Sequence, residues 1–153
     1  MAHTIQQYPL KLLDLLRMRI SQKGLYALQA LIVLAQRYPF GEAVRIRDIA
    51  QQEQLPEKFL EAILRDLKRV RVVVSIRGAN GGYQLQRPPD QIFLGDILRR
   101  IDGPLAPFED ADSLRRRVQQ DPKHRPLFQL LLDVRDATAR IMDNTSLAQI
   151  STP

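Results

Sequence analysis

The sequence predicts a mainly α-helical chain with a small β-hairpin wing: a winged helix-turn-helix plus a long C-terminal dimerisation helix. Three observations predict it. Between Ala43 and Pro88, two short helical patterns are joined by a tight turn and followed by a glycine-turned hairpin with an arginine at its tip. That order suits a unit that lays a helix in the major groove of DNA and reaches the neighbouring minor groove with its hairpin. Positive charge collects in the same half. Residues 1–87 hold 14 Lys/Arg against 7 Asp/Glu, whereas residues 88–153 hold 9 against 10. Finally, a narrow apolar stripe runs along residues 126–143, as in a helix that pairs with a copy of itself.

Composition narrows the classes. With 44% hydrophobic and 26% charged residues, the 153-residue chain is globular rather than disordered and long enough to bury a core. No apolar run approaches a membrane span, and the leucines near the start are interrupted by Lys11, Asp14 and Arg17, unlike a secretory signal. A cytoplasmic protein without a membrane partner is the expectation. Cysteine is absent, which excludes disulfides, thiolate-held metals and cysteine nucleophiles. His3 and His124 are the only histidines, so neither a metal nor a cofactor is expected. A net charge of +6 suits a polyanion partner, because phosphate neutralisation supplies most non-specific nucleic-acid affinity.

Taken in order, residues 1–17 read as an N-terminal extension, helical through Leu12, Leu13, Leu15 and Leu16. Residues 18–103 read as the winged helix-turn-helix domain. Its first helix runs from Ser21, a capping residue, to Tyr38, with Leu25, Leu28, Leu31, Ile32 and Ala35 inward. Ser21, Lys23 and Tyr26 lie where this helix starts and are candidates for contact with DNA. A short strand is expected at Val44–Ile46, then a helix over Asp48–Gln52 and a turn at Glu53–Leu55. Pro56 opens the second helix, with Phe59, Leu60, Ile63, Leu64 and Leu67 on its inner face.

The outer face of that second helix carries the chemistry. Lys58, Glu61 and Ala62 are placed to meet base edges: a lysine donates to guanine, a glutamate accepts from cytosine, and an alanine packs on a thymine methyl. Arg65, with Lys68 and Arg69, suits the phosphate backbone. Val72–Ile76 and Tyr83–Leu85 form the hairpin around Gly78-Ala79-Asn80-Gly81-Gly82, and Arg77 projects near the tip. Arginine suits a narrow, electronegative minor groove better than lysine does, and Gly78 and Gly81 join it as candidate contacts. A phosphate-cradling loop would need its glycines between a strand and a helix, and here they lie between two strands.

A further helix is expected over Ile92–Asp102, stopped by Gly103-Pro104. Residues 104–125 read as a loop region with one short helix near Leu114–Gln119. Residues 126–150 read as the dimerisation helix and a C-terminal turn. Leu127, Leu130, Leu131, Val134, Thr138 and Ile141 are its pairing residues, and Thr145 is the expected cap of the last turn.

These stretches resemble the Rrf2 family of bacterial winged-helix transcription regulators. The resemblance rests on Met18-Arg19-Ile20-Ser21, Lys23-Gly24, Tyr26-Ala27-Leu28, Asp48-Ile49-Ala50, Glu57 to Glu61, Ser75 to Gly78, Gly81-Gly82-Tyr83, Arg87-Pro88 and Ile101 to Pro104. It implies a homodimer on a palindromic operator, base contacts from Lys58, Glu61 and Ala62, and a minor-groove role for Arg77. Members that sense iron–sulfur status carry cysteines after the Gly103-Pro104 position, so this chain looks like a cluster-free member. Ala62 stands where glutamine often meets a base. Arg71 stands where glycine is usual, at a position that is costly if left-handed.

Three classes of function are thereby set against one another. A sequence-specific DNA-binding regulator, most simply a repressor, accounts for charge, wing and stripe together. A protein-interaction module acting through a metabolic enzyme or another protein partner is the alternative. For an enzyme, no serine–histidine–acid set, metal-ligand spacing or paired carboxylate stands out, and His124 with the acidic loop is too loosely spaced for a metal.

Overall fold

The computed structural model describes residues 20–104 and 111–151. The expected helical extension over residues 1–17 lies outside the described residues, as do residues 105–110 of the expected loop. Among the described residues, 20–103 with 140–151 form one compact unit, and 104 with 111–139 form another.

The first unit is built on α1 (Gln22–Arg37), whose Ala27, Leu28, Ala30, Leu31 and Leu34 are all buried. Leu25, expected inside, is 47% exposed, because it lies on the opposite side of the helix from Ala27, Leu31 and Leu34. A single 3-10 turn, Tyr38–Phe40, follows and ends at Gly41 with φ +65°. The expected strand at 44–46 contracts to one residue. Only Val44 makes a backbone bridge to the hairpin, at Tyr83, and Ile46 already begins α2 (Ile46–Glu53).

Gln54 takes a left-handed conformation (φ +53°), and Leu55, buried, donates its N–H to Ala50 O at 2.9 Å. This turn delivers the chain into α3 (Glu57–Arg69). Pro56 is the N-cap rather than the first helical residue. Leu60, Ile63, Leu64 and Leu67 are each at most 1% exposed, so burying each stabilises the fold by about 1.5–3 kcal/mol. Phe59, expected with them, is 42% exposed. It sits on the flank of the helix, where its ring meets Tyr26.

At the end of α3 the Val72 N–H bonds to Leu67 O (2.9 Å) and the Arg71 N–H to Lys68 O (3.0 Å), the two bonds of a Schellman motif. The residue that must then be left-handed is Arg71, with φ +60°. A Cβ in that conformation costs about 1 kcal/mol. Arg71→Gly is therefore expected to stabilise the protein by about 1 kcal/mol and raise Tm by roughly 2–4 °C. Urea and thermal unfolding followed by circular dichroism would check it.

The hairpin comprises β1 (Val73–Ile76) and β2 (Gly82–Leu85), antiparallel, with Val73 opposite Leu85 and Ile76 opposite Gly82. After a 3-10 turn at Pro89–Gln91, α4 (Leu94–Asp102) buries Leu94, Ile97 and Leu98. Ile92 and Phe93, expected in this helix, are extended instead. They pair with the end of the unit: Phe93 bridges Ser146, Leu147 N–H bonds to Ile92 O at 2.7 Å, and Leu94 N–H to Thr145 O at 3.0 Å.

This pairing seats α7 (Leu147–Ser151) against α1, with Leu147 fully buried. The cap is Ser146, not Thr145. Ser146 N–H donates to Gln149 Oε1 (2.7 Å) and Gln149 N–H to Ser146 Oγ (3.4 Å), a reciprocal capping box. Thr145 turns its hydroxyl back to Ile141 O at 2.7 Å. Residues 140–151, expected as part of a separate C-terminal element, thus complete the winged-helix unit.

In the second unit α5 (Ala111–Gln120) is longer than the short helix expected there. It leads to α6 (Arg125–Asn144), whose last turns belong to the first unit. Arg125 Nε donates to Val118 O at 3.0 Å across the turn between the two helices. His124 Nδ1 lies 2.9 Å from Asp121 Oδ2, and its ring stands edge-on to Phe128 at 6.4 Å. The His124 ring beside Asp121 holds that carboxyl below the usual carboxylate range. No helix among the described residues is long and apolar enough to cross a membrane.

Candidate nucleic-acid interface

The rotation of α3 about its axis is set from two sides. Its four buried residues anchor the inner face, and its flank toward α1 carries two specific contacts. Lys23 Nζ lies 2.6 Å from Asp66 Oδ2, and the Tyr26 and Phe59 rings meet edge-on at 5.7 Å. Lys23 and Tyr26 are one turn apart on α1, and Phe59 and Asp66 are two turns apart on α3, so the pairs lie side by side. The Lys23 ammonium holds the Asp66 carboxyl below its usual range, with Arg69 and Arg65 adding to the effect. Lys23 and Tyr26 thus orient the helix that carries the other candidates.

Ser21 also works inside the protein. Its Oγ accepts from the Gly24 N–H at 2.9 Å and donates to Asp102 Oδ1, while its own N–H donates to Asp102 Oδ2 at 2.9 Å. A Cβ at Gly24 would overlap the Asp102 carboxylate, which is why glycine stands there. The end of α4 is thereby tied to the start of α1. Sequence reading missed Asp102 in this role, and the residue separation of 81 explains why.

With α3 so fixed, Lys58, Glu61, Ala62 and Arg65 are all exposed on its outer side. Glu61 and Arg65 form a loose pair at 3.7 Å, one turn apart. Exposed pairs of this kind contribute little to stability, so both groups can turn to a ligand. Among the described residues Lys58 has no side-chain hydrogen bond or ion pair. The outer face therefore presents one donor, one acceptor and one methyl in its first two turns, with guanidinium and ammonium groups behind them.

The wing projects beside this face. Lys68 Nζ donates to Ser75 Oγ at 2.6 Å, joining the recognition-like helix to β1. In the turn, Gly81 N–H bonds to Gly78 O at 3.0 Å. Arg77 is exposed, and among the described residues its guanidinium has no partner. At a narrow groove rich in acceptors, an uncommitted planar fork of this kind can insert without breaking a bond first.

A helix with an inward apolar face and an outward set of base-complementary groups, flanked by an arginine-tipped hairpin, defines a winged-helix DNA-binding regulator. Residues 20–153 match the family model Rrf2, described as an iron-dependent transcriptional regulator. The chain belongs to the Rrf2 family. It is 37% identical over 134 residues to the HTH-type transcriptional regulator CymR of Bacillus subtilis (strain 168), an alignment covering 88% of this chain and 90% of that protein. The solved structure of CymR, the global cysteine regulator of B. subtilis, has a TM-score of 0.74 and 34% identity, covering 87% of this chain and 95% of that one. T. potens IscR has a TM-score of 0.65 and 30% identity, covering 86% and 85%.

The family description includes iron, and the donor set of this chain can be tested against it. A thiolate-held cluster needs cysteine, and there is none in the 153 residues. Of the two histidines, His124 already faces Asp121. Among the described residues no group of three or more His, Cys, Asp or Glu side chains converges. The residues present do not fit an iron–sulfur centre.

Proposed function

We propose that the protein is a homodimeric repressor that reads a palindromic operator in the cytoplasm without a metal cluster, acting by binding rather than catalysis. The observation that carries this reading is the outward face of α3, where Lys58, Glu61 and Ala62 are exposed while four apolar residues lock the opposite side. Two such helices enter successive major grooves about 34–36 Å apart on one side of the duplex. Arg77 of each wing enters the flanking minor groove. Arg65 and Arg69 hold phosphates, which sets the register and makes affinity dependent on salt.

Dimerisation is supported by the stripe on α6. Leu127 (51%), Leu130 (58%), Val134 (39%) and Ile141 (64%) are exposed, and Leu131 and Thr138 are half-buried. The positions 127, 131, 134, 138 and 141 follow a strict four-and-three alternation, the spacing of a paired-helix seam. Thr138 satisfies its hydroxyl by donating to Val134 O at 3.0 Å, leaving its methyl for the seam.

Selection of bound duplexes from a random pool tests the reading. A two-fold symmetric consensus with half-sites about one helical turn apart is expected. A pool that yields no consensus, with retention independent of sequence, would overturn it in favour of a protein-interaction module.

A further inference from the structure

The first turn of α2 departs from what a helix start calls for. Its N-cap is Arg45, in an extended conformation (φ −72°, ψ 147°), with no side-chain hydrogen bond to the helix. Serine, threonine, aspartate or asparagine at such a position stabilises a helix by about 1 kcal/mol, and arginine supplies no acceptor for the orphan N–H groups. The side chain instead leaves its own helix. The Arg45 Nη2 donates to Ala79 O, 34 residues away in the wing turn, at 2.5 Å.

Its surroundings show what that bond does. An open polar cleft of about 540 Å³ separates the wing from the start of α2, lined by Glu42, Arg45, Asp48, Ile76, Asn80 and Gln84 among others. The wing is fastened across it at three heights. At the base, Val44 and Tyr83 exchange both backbone bonds (2.9 and 2.8 Å). A Cβ at Gly82 would overlap Val44 O, so glycine is required for this approach. Alongside, Gln84 Nε2 donates to Gly41 O at 2.6 Å. Among the described residues only the Arg45 side chain reaches the turn itself, at Ala79, two residues from Arg77.

We propose that Arg45 is a positioning residue that clamps the wing turn and thereby aims Arg77. The inference rests on the reading of Arg77 as a minor-groove contact. Without the clamp the hairpin keeps its base, but its tip is free to move within the cleft, and Arg77 must be ordered on binding. That ordering lowers affinity. A helix cap has been given up at position 45 in exchange for a fixed wing.

Arg45→Ser separates the two roles, since it restores a capping oxygen while removing the clamp. Arg45→Ala removes the clamp alone. The experiment measures affinity for the selected duplex by fluorescence anisotropy over a salt series, with wild type, R45S, R45A, R77A and R45S/R77A. Expected is a Tm for R45S equal to or above wild type, with binding weakened about five- to tenfold by R45S and R45A alike and an unchanged salt slope. In the R77A background, adding R45S should change affinity by less than about twofold. R45S binding as tightly as wild type would overturn the clamp. So would full additivity with R77A accompanied by a salt slope reduced by about one, which marks a direct phosphate contact. If R77A itself binds like wild type, the minor-groove reading fails first and the clamp with it.

Discussion

Replacing Arg77 with alanine is expected to weaken operator binding by roughly ten- to a hundredfold at constant ionic strength, the range of a well-placed base-level contact. The guanidinium is exposed at the head of the turn between β1 and β2, with no competing partner among the described residues, so its full donor set is available to DNA. Lysine at the same position should recover only part of the loss. It keeps the charge but not the planar fork, and it is more tightly hydrated. The loss should be greatest on operators whose flanks have narrow, A·T-rich minor grooves and smallest on random duplexes. Anisotropy titrations against the selected duplex and a scrambled one check both statements. Equal affinity of R77A and wild type for the operator would rule out the wing contact.

Leu130→Asp combined with Val134→Asp is expected to convert a dimer into single chains of 17.6 kDa, read by sedimentation or light scattering. Both residues are already exposed within one chain, at 58% and 39%, so charge there disturbs little of its own packing. In a pair the charge at Val134 would lie within an apolar seam and that at Leu130 beside it, where like charges without partners are strongly unfavourable. Operator affinity should fall by about a hundredfold or more, because the second half-site is no longer held at high effective concentration. Helical content should stay near that of wild type. A variant that remains dimeric would place the pairing surface elsewhere.

Much of this was legible in the residues. The rotation of α3 followed from the spacing of Leu60, Ile63, Leu64 and Leu67, because four apolar residues on one arc leave no alternative inward face. The wing was legible because Gly78 to Gly82 between two β-prone runs permits little besides a hairpin. Two apolar side chains were misplaced for a single reason. Apolar spacing alone does not say which arc of a helix is buried: Leu25 lies opposite the buried side of α1, and Phe59 on the flank of α3. Helix α5 was underestimated because Ala111, Leu114 and Val118 are its only apolar residues and Leu114 alone is buried, so its helical stripe is short and set in a polar sequence.

What spacing does not carry is long-range hydrogen bonding. Asp102 at Ser21 and Arg45 at Ala79 join residues 81 and 34 positions apart. Neither pair has a local pattern that announces it. The charged pair of Arg99 and Asp143, at 2.7 and 2.8 Å through two parallel bonds, is of the same kind. The Arg99 guanidinium holds the Asp143 carboxyl below its usual range, and it binds α4 to the last turn of α6. By contrast, Arg71 was marked in advance, since the resemblance supplied the glycine expected there and the backbone is left-handed at that residue.

Leu147 is fully buried in the winged-helix unit, yet it is made after every residue of α6. During synthesis, at about 5–20 residues per second, the ribosome has already produced all of α6 before the backbone of Ile92 can meet its partner. A nascent chain therefore cannot complete its winged-helix unit before α6 has been made. Truncated products that lack residues 145–151 would lose both the bridge of Ser146 to Phe93 and the buried Leu147, and so leave the unit's interior unfilled.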